Sequence, residues 1–195
     1  MRKITTLILL IFFIPATVWA HPPRVLGTVP GLEEALRNGT PPAEMEDLIL
    51  NQLLAQAGIR TIDDYAAYLN QNLKYKKDKV DVWAAPLQTF ARGYGDCEDL
   101  SFLTEAVLKH LGYHPRVLGF KLPKEAHVFV TVKINGVYYI FDNTKHYKTT
   151  IHSIKEIAEF LYQKYNIAYL VEVRRIPKTV KLLYGKASLQ QLAKR

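Results

Sequence analysis

The chain has 195 residues, 49% of them hydrophobic, and a formal net charge of +8. This length and apolar content suit one globular domain with its own core and leave little room for two. The basic residues are not accompanied by a groove-reading or base-stacking motif, so we interpret them as solvated surface or as attraction to an anionic partner. We expect no binding to nucleic acid.

The N-terminus has the pattern of a signal peptide. Two basic residues precede an apolar run from Ile4 to Val18, and Ala20 is the small residue expected before a signal-peptidase cut. We therefore predict removal of residues 1–20, a mature chain that begins at His21, and a periplasmic or secreted protein. The apolar run is shorter than a typical membrane span, so we expect no stable membrane anchor after cleavage. An uncleaved anchor is the alternative.

Two helices are predicted next, and together they form an N-terminal helical layer over residues 40–73. Thr40 caps the first, whose apolar residues recur at helical intervals until Gly58. The second starts at Thr61 and has Asp64 three residues later, which is a capping signal.

A third helix is predicted after an irregular stretch over residues 74–95. Asp96 is its N-cap, Asp99 is the reciprocal capping partner, and Gly112 ends it. Cys97, the only cysteine of the chain, lies at the start of this helix. A lone cysteine in an exported protein is either an intermolecular link or a free thiol. Its neighbours are glycine and carboxylates rather than apolar side chains, which favours a reactive thiol over a buried structural one.

The second half of the chain alternates strands with one helix, which gives an α+β fold. The strands are predicted at Pro115–Lys121, Ala126–Ile134, Val137–Asn143 and Ile167–Arg174, with the helix over Ser153–Tyr165. From Lys178 onward the weak amphipathic pattern predicts a terminal helix. We predict a single domain over residues 21–195, with its core at about residues 80–175.

The turn of the central hairpin fixes its register. Asn135 and Gly136 both favour positive φ, which makes them the two turn residues. Asp142 is then opposite Phe129, and His127 shares a sheet face with Phe129 because residues of one parity point the same way. Diagonal neighbours are about 7 to 8 Å apart at Cα, close enough for an imidazole to meet a carboxylate.

These residues predict acyl-transfer chemistry. Cys97 would attack as a thiolate, favoured by the helix N-terminus and by the imidazolium of His127. Asp142 would hold His127 in one tautomer. The Cys97 backbone N–H is the expected first donor to a tetrahedral intermediate, with Trp83 or Gln88 as the second.

The same residues resemble those of a known family. The matching blocks are Gly95-Asp96-Cys97-Glu98-Asp99, Leu111-Gly112-Tyr113, Arg116-Val117, His127-Val128-Phe129-Val130 and Phe141-Asp142-Asn143. In this order they resemble the transglutaminase-like superfamily, and within it the bacterial transglutaminase-like cysteine peptidases of the LapG type. The resemblance implies a papain-like core in which the catalytic helix packs on an antiparallel sheet. It also implies a Cys97-His127-Asp142 triad and a periplasmic peptidase.

Carboxylates surround the predicted nucleophile and oppose its ionisation unless they are neutralised. Calcium-dependent members of the similar family use the acidic residues on either side of the cysteine, which are Asp96 and Glu98 here. We therefore predict a Ca²⁺ site at Asp96 and Glu98, although the chemistry itself requires no cofactor. The alternative is that these carboxylates only complement the helix dipole.

The sequence leads to one main hypothesis and three alternatives. The main hypothesis is an exported cysteine peptidase that cleaves an envelope or cell-surface protein through a thioester acyl-enzyme. A transamidase would resolve the same intermediate with an amine. The other two alternatives are a non-catalytic envelope binding module and a cell-wall amidase or endopeptidase.

Overall fold

The computed structural model describes residues 43–79, 82–122, 124–175 and 177–192. Within them the helices are α1 (Ala43–Ala57), α2 (Ile62–Asn72), α3 (Pro86–Arg92), α4 (Cys97–His110), α5 (Ile154–Tyr165) and α6 (Lys186–Leu192). The strands are β1 (Lys74–Tyr75), β2 (Tyr94–Gly95), β3 (Arg116–Lys121), β4 (Ala126–Ile134), β5 (Val137–Asp142), β6 (Lys145–Lys148), β7 (Tyr169–Arg174) and β8 (Thr179–Gly185). The predicted signal peptide and the Thr40 cap lie outside the described residues.

Six strands build one antiparallel sheet in the order β6-β5-β4-β3-β7-β8. Strands β1 and β2 form a separate parallel pair. Helix α4 packs against β4, near the middle of the sheet. The predicted α+β class, with the helix that begins at Cys97 packed on an antiparallel sheet, is confirmed. Of the helices that the structure describes, none combines the length and apolar character needed to cross a bilayer.

The central hairpin has the predicted turn and register. Asn135 and Gly136 have φ values of 50° and 85°, the positive values that a two-residue hairpin turn requires. Ile134 pairs with Val137, and the ladder between β4 and β5 continues to Val130 and Phe141. The opposite end of this hairpin is where the candidate site forms.

The sheet has a hydrophobic core on each face because its side chains alternate in direction. The core on one side packs α1, α2 and α4 against the sheet, and Leu103 and Val130 in it are fully buried. The core on the other side contains residues of α5 and α6, including Ala158 and Leu189, which are also fully buried. The predicted N-terminal helical layer is therefore part of the same core as α4.

Three sequence expectations differ from the structure. Residues 74–95 were expected to be irregular, but α3 forms there, with proline in its first turn and Gly93 in the left-handed region at its end. The tail after Lys178 was expected to be helical, but β8 comes first and α6 is short. Strand β6 was not expected at all. In α3, the proline and glycine are start and stop signals of a helix rather than interruptions.

Candidate active site

Cys97 is the first residue of α4. Asp96 is the N-cap, as predicted: its backbone is extended and its carboxylate accepts the Asp99 N–H at 3.4 Å. The first N–H groups of a helix lack intrahelical acceptors and carry partial positive charge. The thiol is therefore at the end of the helix that favours an anion.

Gly95 allows the backbone before α4 to pack closely against Asp99 and Thr89. A Cβ atom at Gly95 would lie 2.6 Å from Asp99 Cβ and 3.2 Å from Thr89 Cγ2. Separations as short as the first do not occur between real side chains, so any larger residue would displace the start of α4. Glycine is therefore required before the Asp96-Cys97 pair because there is no room for a side chain.

The prediction that Asp99 completes a reciprocal cap is wrong. Its Oδ1 accepts the Ala84 N–H at 2.7 Å, and its Oδ2 forms an ion pair with Arg92. Asp99 is fully buried, and a buried carboxylate is stable only when it is paired and hydrogen-bonded. Arg92 also donates from Nε to the Tyr94 carbonyl at 2.7 Å, so it ties the strand before the helix to the helix itself.

His127 and Asp142 meet as the hairpin register predicts. His127 Nε2 and Asp142 Oδ1 are 2.7 Å apart, and Asn143 Nδ2 donates to the same carboxylate oxygen at 3.2 Å. The Phe120 ring packs edge-on to the imidazole, with centroids 5.5 Å apart. Two neighbours therefore fix the orientation of the imidazole.

This hydrogen bond selects the tautomer of His127. A carboxylate only accepts, so Nε2 carries the proton that is donated to Asp142. In the neutral ring Nδ1 is then an acceptor, and it is the nitrogen that could take a proton from a thiol.

The Cys97 thiol contacts β4 at Val128, the residue after His127. The pairing of β4 with β5 ends at Val130 and Phe141, and beyond that end the Val128 backbone N–H contacts the Cys97 sulfur. The thiol itself donates to Glu98 Oε2 at 2.9 Å rather than to His127. His127 is therefore hydrogen-bonded to Asp142, and Cys97 contacts β4, the strand that carries His127.

The environment of Cys97 strongly favours the protonated thiol. Burial, the hydrogen bond to Glu98 and the charge of Glu98 raise the thiol pKa to about 12, and the Val128 N–H acts in the opposite direction. Burial and Glu98 therefore both favour the neutral thiol at Cys97.

A group of carboxylates lies at the start of α4. Oxygens of Asp78, Asp96 and Asp99 all lie within 4.8 Å of one another. Burial and the charges of Glu98 and Asp99 raise the pKa of Asp96 to about 6, although the Asp99 N–H opposes the shift. Of the two residues that the sequence suggests as Ca²⁺ ligands, Asp96 belongs to this group, whereas the Glu98 carboxylate contacts the thiol.

Asp78 and Arg92 were not predicted from the sequence. Asp78 is the acidic residue within a lysine-rich stretch, and Arg92 ends the helix that was not predicted. The two suggested second donors have other contacts. Gln88 Oε1 accepts the Ala85 N–H at 3.1 Å, and the Trp83 ring packs on Phe102.

A family model described as a transglutaminase-like domain matches residues 47–163. The matched span is more than half of the chain and includes Cys97, His127 and Asp142. The chain belongs to the transglutaminase-like domain family. The predicted superfamily is thereby confirmed.

Several solved structures are similar to this transglutaminase-like domain. The EGTA-treated and calcium-bound forms of LapG from Legionella pneumophila are each 16% identical to it, with a TM-score of 0.47. Each match covers 87% of this chain, and 98% and 99% of the respective LapG chains. A candidate cysteine protease from Cytophaga hutchinsonii is 20% identical, with a TM-score of 0.43 over 61% of this chain. This transglutaminase-like domain spans 46% of that protein, which is less than half of its length. No curated protein has a matching sequence.

Proposed function

We propose that this transglutaminase-like domain is an exported cysteine peptidase that cleaves an envelope or cell-surface protein. The main support is the 2.7 Å hydrogen bond between His127 and Asp142, one residue from the backbone N–H that contacts Cys97. A nucleophile, a base and a carboxylate that orients the base are the parts that acyl transfer by a thiol requires. Export follows from the predicted signal peptide over residues 1–20.

The first step forms a thioester. The Cys97 thiol loses its proton to His127 Nδ1, and the thiolate attacks the carbonyl carbon of the scissile peptide bond. The carbonyl oxygen becomes an oxyanion, and the Cys97 backbone N–H at the helix N-terminus is the natural donor to it. The intermediate collapses, the C–N bond breaks, and the imidazolium gives its proton to the leaving amine.

The second step restores the enzyme. His127 removes a proton from a water molecule, whose oxygen attacks the thioester carbonyl. The C–S bond breaks, the product leaves as a carboxylic acid, and the thiol regains its proton. Asp142 keeps the imidazole in its orientation throughout.

We also propose that Ca²⁺ binds at the start of α4. The donor set fits a hard cation, since Asp78, Asp96 and Asp99 place carboxylate oxygens within 4.8 Å of one another. Asp99 already shares its charge with Arg92, which leaves an excess of negative charge for the ion. Glu98, the other predicted ligand, would have to leave the thiol in order to contribute. A bound Ca²⁺ would neutralise charges that oppose the thiolate.

The calcium proposal can be tested without a substrate. We expect added Ca²⁺ to raise the melting temperature and the rate at which iodoacetamide labels Cys97, and excess EGTA to reverse both. Asp78→Asn should weaken both responses, while Asp47→Asn, an acid on α1, should preserve them. Identical melting and labelling in Ca²⁺ and EGTA would count against a calcium site.

Peptidase activity is tested with the envelope proteome. Purified wild-type protein should generate new N-termini that are absent with Cys97→Ala and with His127→Ala, as measured by terminal-labelling mass spectrometry. Equal sets of N-termini from all three proteins would support a non-catalytic binding module instead.

Hydrolysis and amine transfer are separated in the same reaction. Adding a biotinylated primary amine allows the thioester to react with either acceptor. We expect cleaved peptides with free carboxylates to exceed biotinylated products. Predominant incorporation of the amine would show that the protein is a transamidase rather than a peptidase.

A further inference from the structure

A lysine-rich segment (residues 74–79) runs beside the strand that leads into the candidate site. Lys74 and Lys76 donate backbone hydrogen bonds to the carbonyls of Gly93 and Gly95, at 3.0 and 2.8 Å. Gly95 is only two residues before Cys97. The lysine segment therefore borders the thiol.

The other backbone edge of the lysine segment pairs with no strand in the described part of the chain. In an extended chain, successive N–H and C=O groups point to opposite sides. Because Lys74 and Lys76 face β2, the peptide groups of Tyr75 between them face away from it. An edge of this kind can pair with the backbone of an extended peptide.

The Tyr75 side chain is on the side of the candidate site. Tyr75 pairs with Gly95, two residues before Cys97. Burial, followed by the charges of Cys97 and Asp96, raises the pKa of its phenol. Tyr75 is nevertheless 50% exposed. A peptide along this edge would therefore pass the thiol while touching Tyr75.

The exposed surface of the lysine segment is basic. Its one acidic residue, Asp78, belongs to the carboxylate group with Asp96 and Asp99. The exposed charged residues are Lys74, Lys76, Lys77 and Lys79. None of these lysines forms an ion pair with another residue in the described part of the chain. Lys76 is partly engaged, because its ammonium lies 4.3 Å from the centre of the Tyr94 ring.

We propose that the lysine segment binds an acidic, extended stretch of the protein substrate and thereby presents the neighbouring peptide bond to Cys97. The inference rests on the proposed peptidase function and adds a substrate class to it. The open edge accounts for the extended conformation, and the unpaired lysines account for the acidic side chains.

The same charges determine where the acidic residues lie. The Glu98 carboxylate lies on the thiol and repels a second carboxylate placed beside the scissile bond. Lys77 and Lys79 follow Tyr75 by two and four residues in the lysine segment. The acidic residues are therefore two to four positions from the cleaved bond.

The first test measures binding and does not require turnover. Fluorescein-labelled 12-residue peptides with four Glu, four Gln or four Lys residues are titrated against Cys97→Ala protein, with fluorescence anisotropy as the readout. The Glu peptide should bind best, and 0.5 M NaCl should remove its advantage. A variant that adds Lys74→Gln, Lys77→Gln and Lys79→Gln should bind the Glu peptide about tenfold more weakly.

A control variant tests whether net charge alone explains the binding. It adds Lys155→Gln, Lys181→Gln and Lys186→Gln to Cys97→Ala, at exposed positions on α5, β8 and α6, and should retain the affinity. Equal losses in both triple variants, or no preference for the Glu peptide, would overturn the proposal. Binding of a 12-nucleotide single strand as tight as that of the Glu peptide would also overturn it, since the segment would then be a general polyanion site.

The second test measures cleavage of a proteome-derived peptide library by wild-type protein. Acidic residues should be enriched two to four positions from the cleaved bonds, and the lysine triple variant should lose this enrichment. Cleavage without enrichment would refute the inference while leaving the peptidase function intact. Lysine-dependent binding of the Glu peptide without any cleavage would support the binding surface but refute the peptidase function.

Discussion

The Cys97 thiol donates a hydrogen bond to Glu98 Oε2 over 2.9 Å. Together with burial and the charge of the same carboxylate, this contact raises the thiol pKa to about 12. A cysteine nucleophile reacts as the thiolate, so Glu98 must release the sulfur before the proposed chemistry can begin. After burial, the residue next to Cys97 is the largest influence on the ionisation of its thiol.

Glu98→Gln should make Cys97 more reactive. Removing the negative charge favours the thiolate, and each unit by which the pKa falls raises the thiolate fraction at neutral pH about tenfold. We expect iodoacetamide labelling at pH 7.5 in EGTA to be about tenfold faster than in wild type. Glu105→Gln is the matched control on the same helix, where Glu105 pairs with Lys109. A labelling rate for Glu98→Gln equal to that of the control would show that Glu98 does not restrain the thiol.

Asp142→Asn should reduce turnover while preserving the fold. The amide is nearly isosteric with the carboxylate, but it no longer holds the Nε2–H tautomer of His127, so Nδ1 is a poorer base. We expect the rate at which new N-termini form from the envelope proteome to fall about 10²-fold or more, with a melting temperature close to that of wild type. Asp47→Asn serves as the control. Retention of most of the wild-type rate by Asp142→Asn would exclude Asp142 from the proposed triad.

The central hairpin could be predicted from the sequence because its determinants are local. Asn135 and Gly136 are chemically suited to a two-residue turn, and a turn of known length fixes every later pair of residues. The proximity of His127 to Asp142 then follows from side-chain alternation alone.

The neighbours of Asp99 could not be predicted in the same way. Its spacing from Asp96 predicted that Asp99 is a capping residue, and at an exposed helix start its side chain would accept the N-cap N–H. In the fold, α3 and the segment before it cover this position, so the buried carboxylate pairs with Arg92 and Ala84 instead. Those contacts depend on tertiary packing, which a local pattern does not contain.

Gly95→Ala should destabilise the protein. The added Cβ would lie 2.6 Å from Asp99 Cβ, so the start of α4 must shift and the buried ion pair with Arg92 is strained. Overpacking of this kind costs about 1–3 kcal/mol, which urea denaturation measures as a lower free energy of unfolding. Gly185→Ala is the control, since its nearest contact would be Leu182 Cδ2 at 3.8 Å. Equal stability of the two variants would mean that the chain accommodates a side chain at Gly95 without cost.

His146 should make the fold sensitive to mild acid. Its ring packs against Tyr139 and Phe141, with centroids 5.6 and 4.6 Å away, and its Nε2 is buried without a hydrogen-bond partner. Burial lowers the pKa of His146, although the charge of Asp63 opposes the shift. The unfolded chain therefore binds a proton at a higher pH than the folded chain does. The resulting stability is fully present above the unfolded pKa of about 6.5 and is lost as the pH falls toward the lower folded value.

His146→Phe tests this dependence because it keeps an aromatic ring in the stack and removes the titration. We expect the free energy of unfolding of wild type, from urea denaturation, to fall more steeply between about pH 7 and pH 5 than that of His146→Phe. His110→Phe, at an exposed position at the end of α4, should retain the wild-type slope. Parallel pH profiles for wild type and His146→Phe would mean that protonation of His146 costs the folded state nothing.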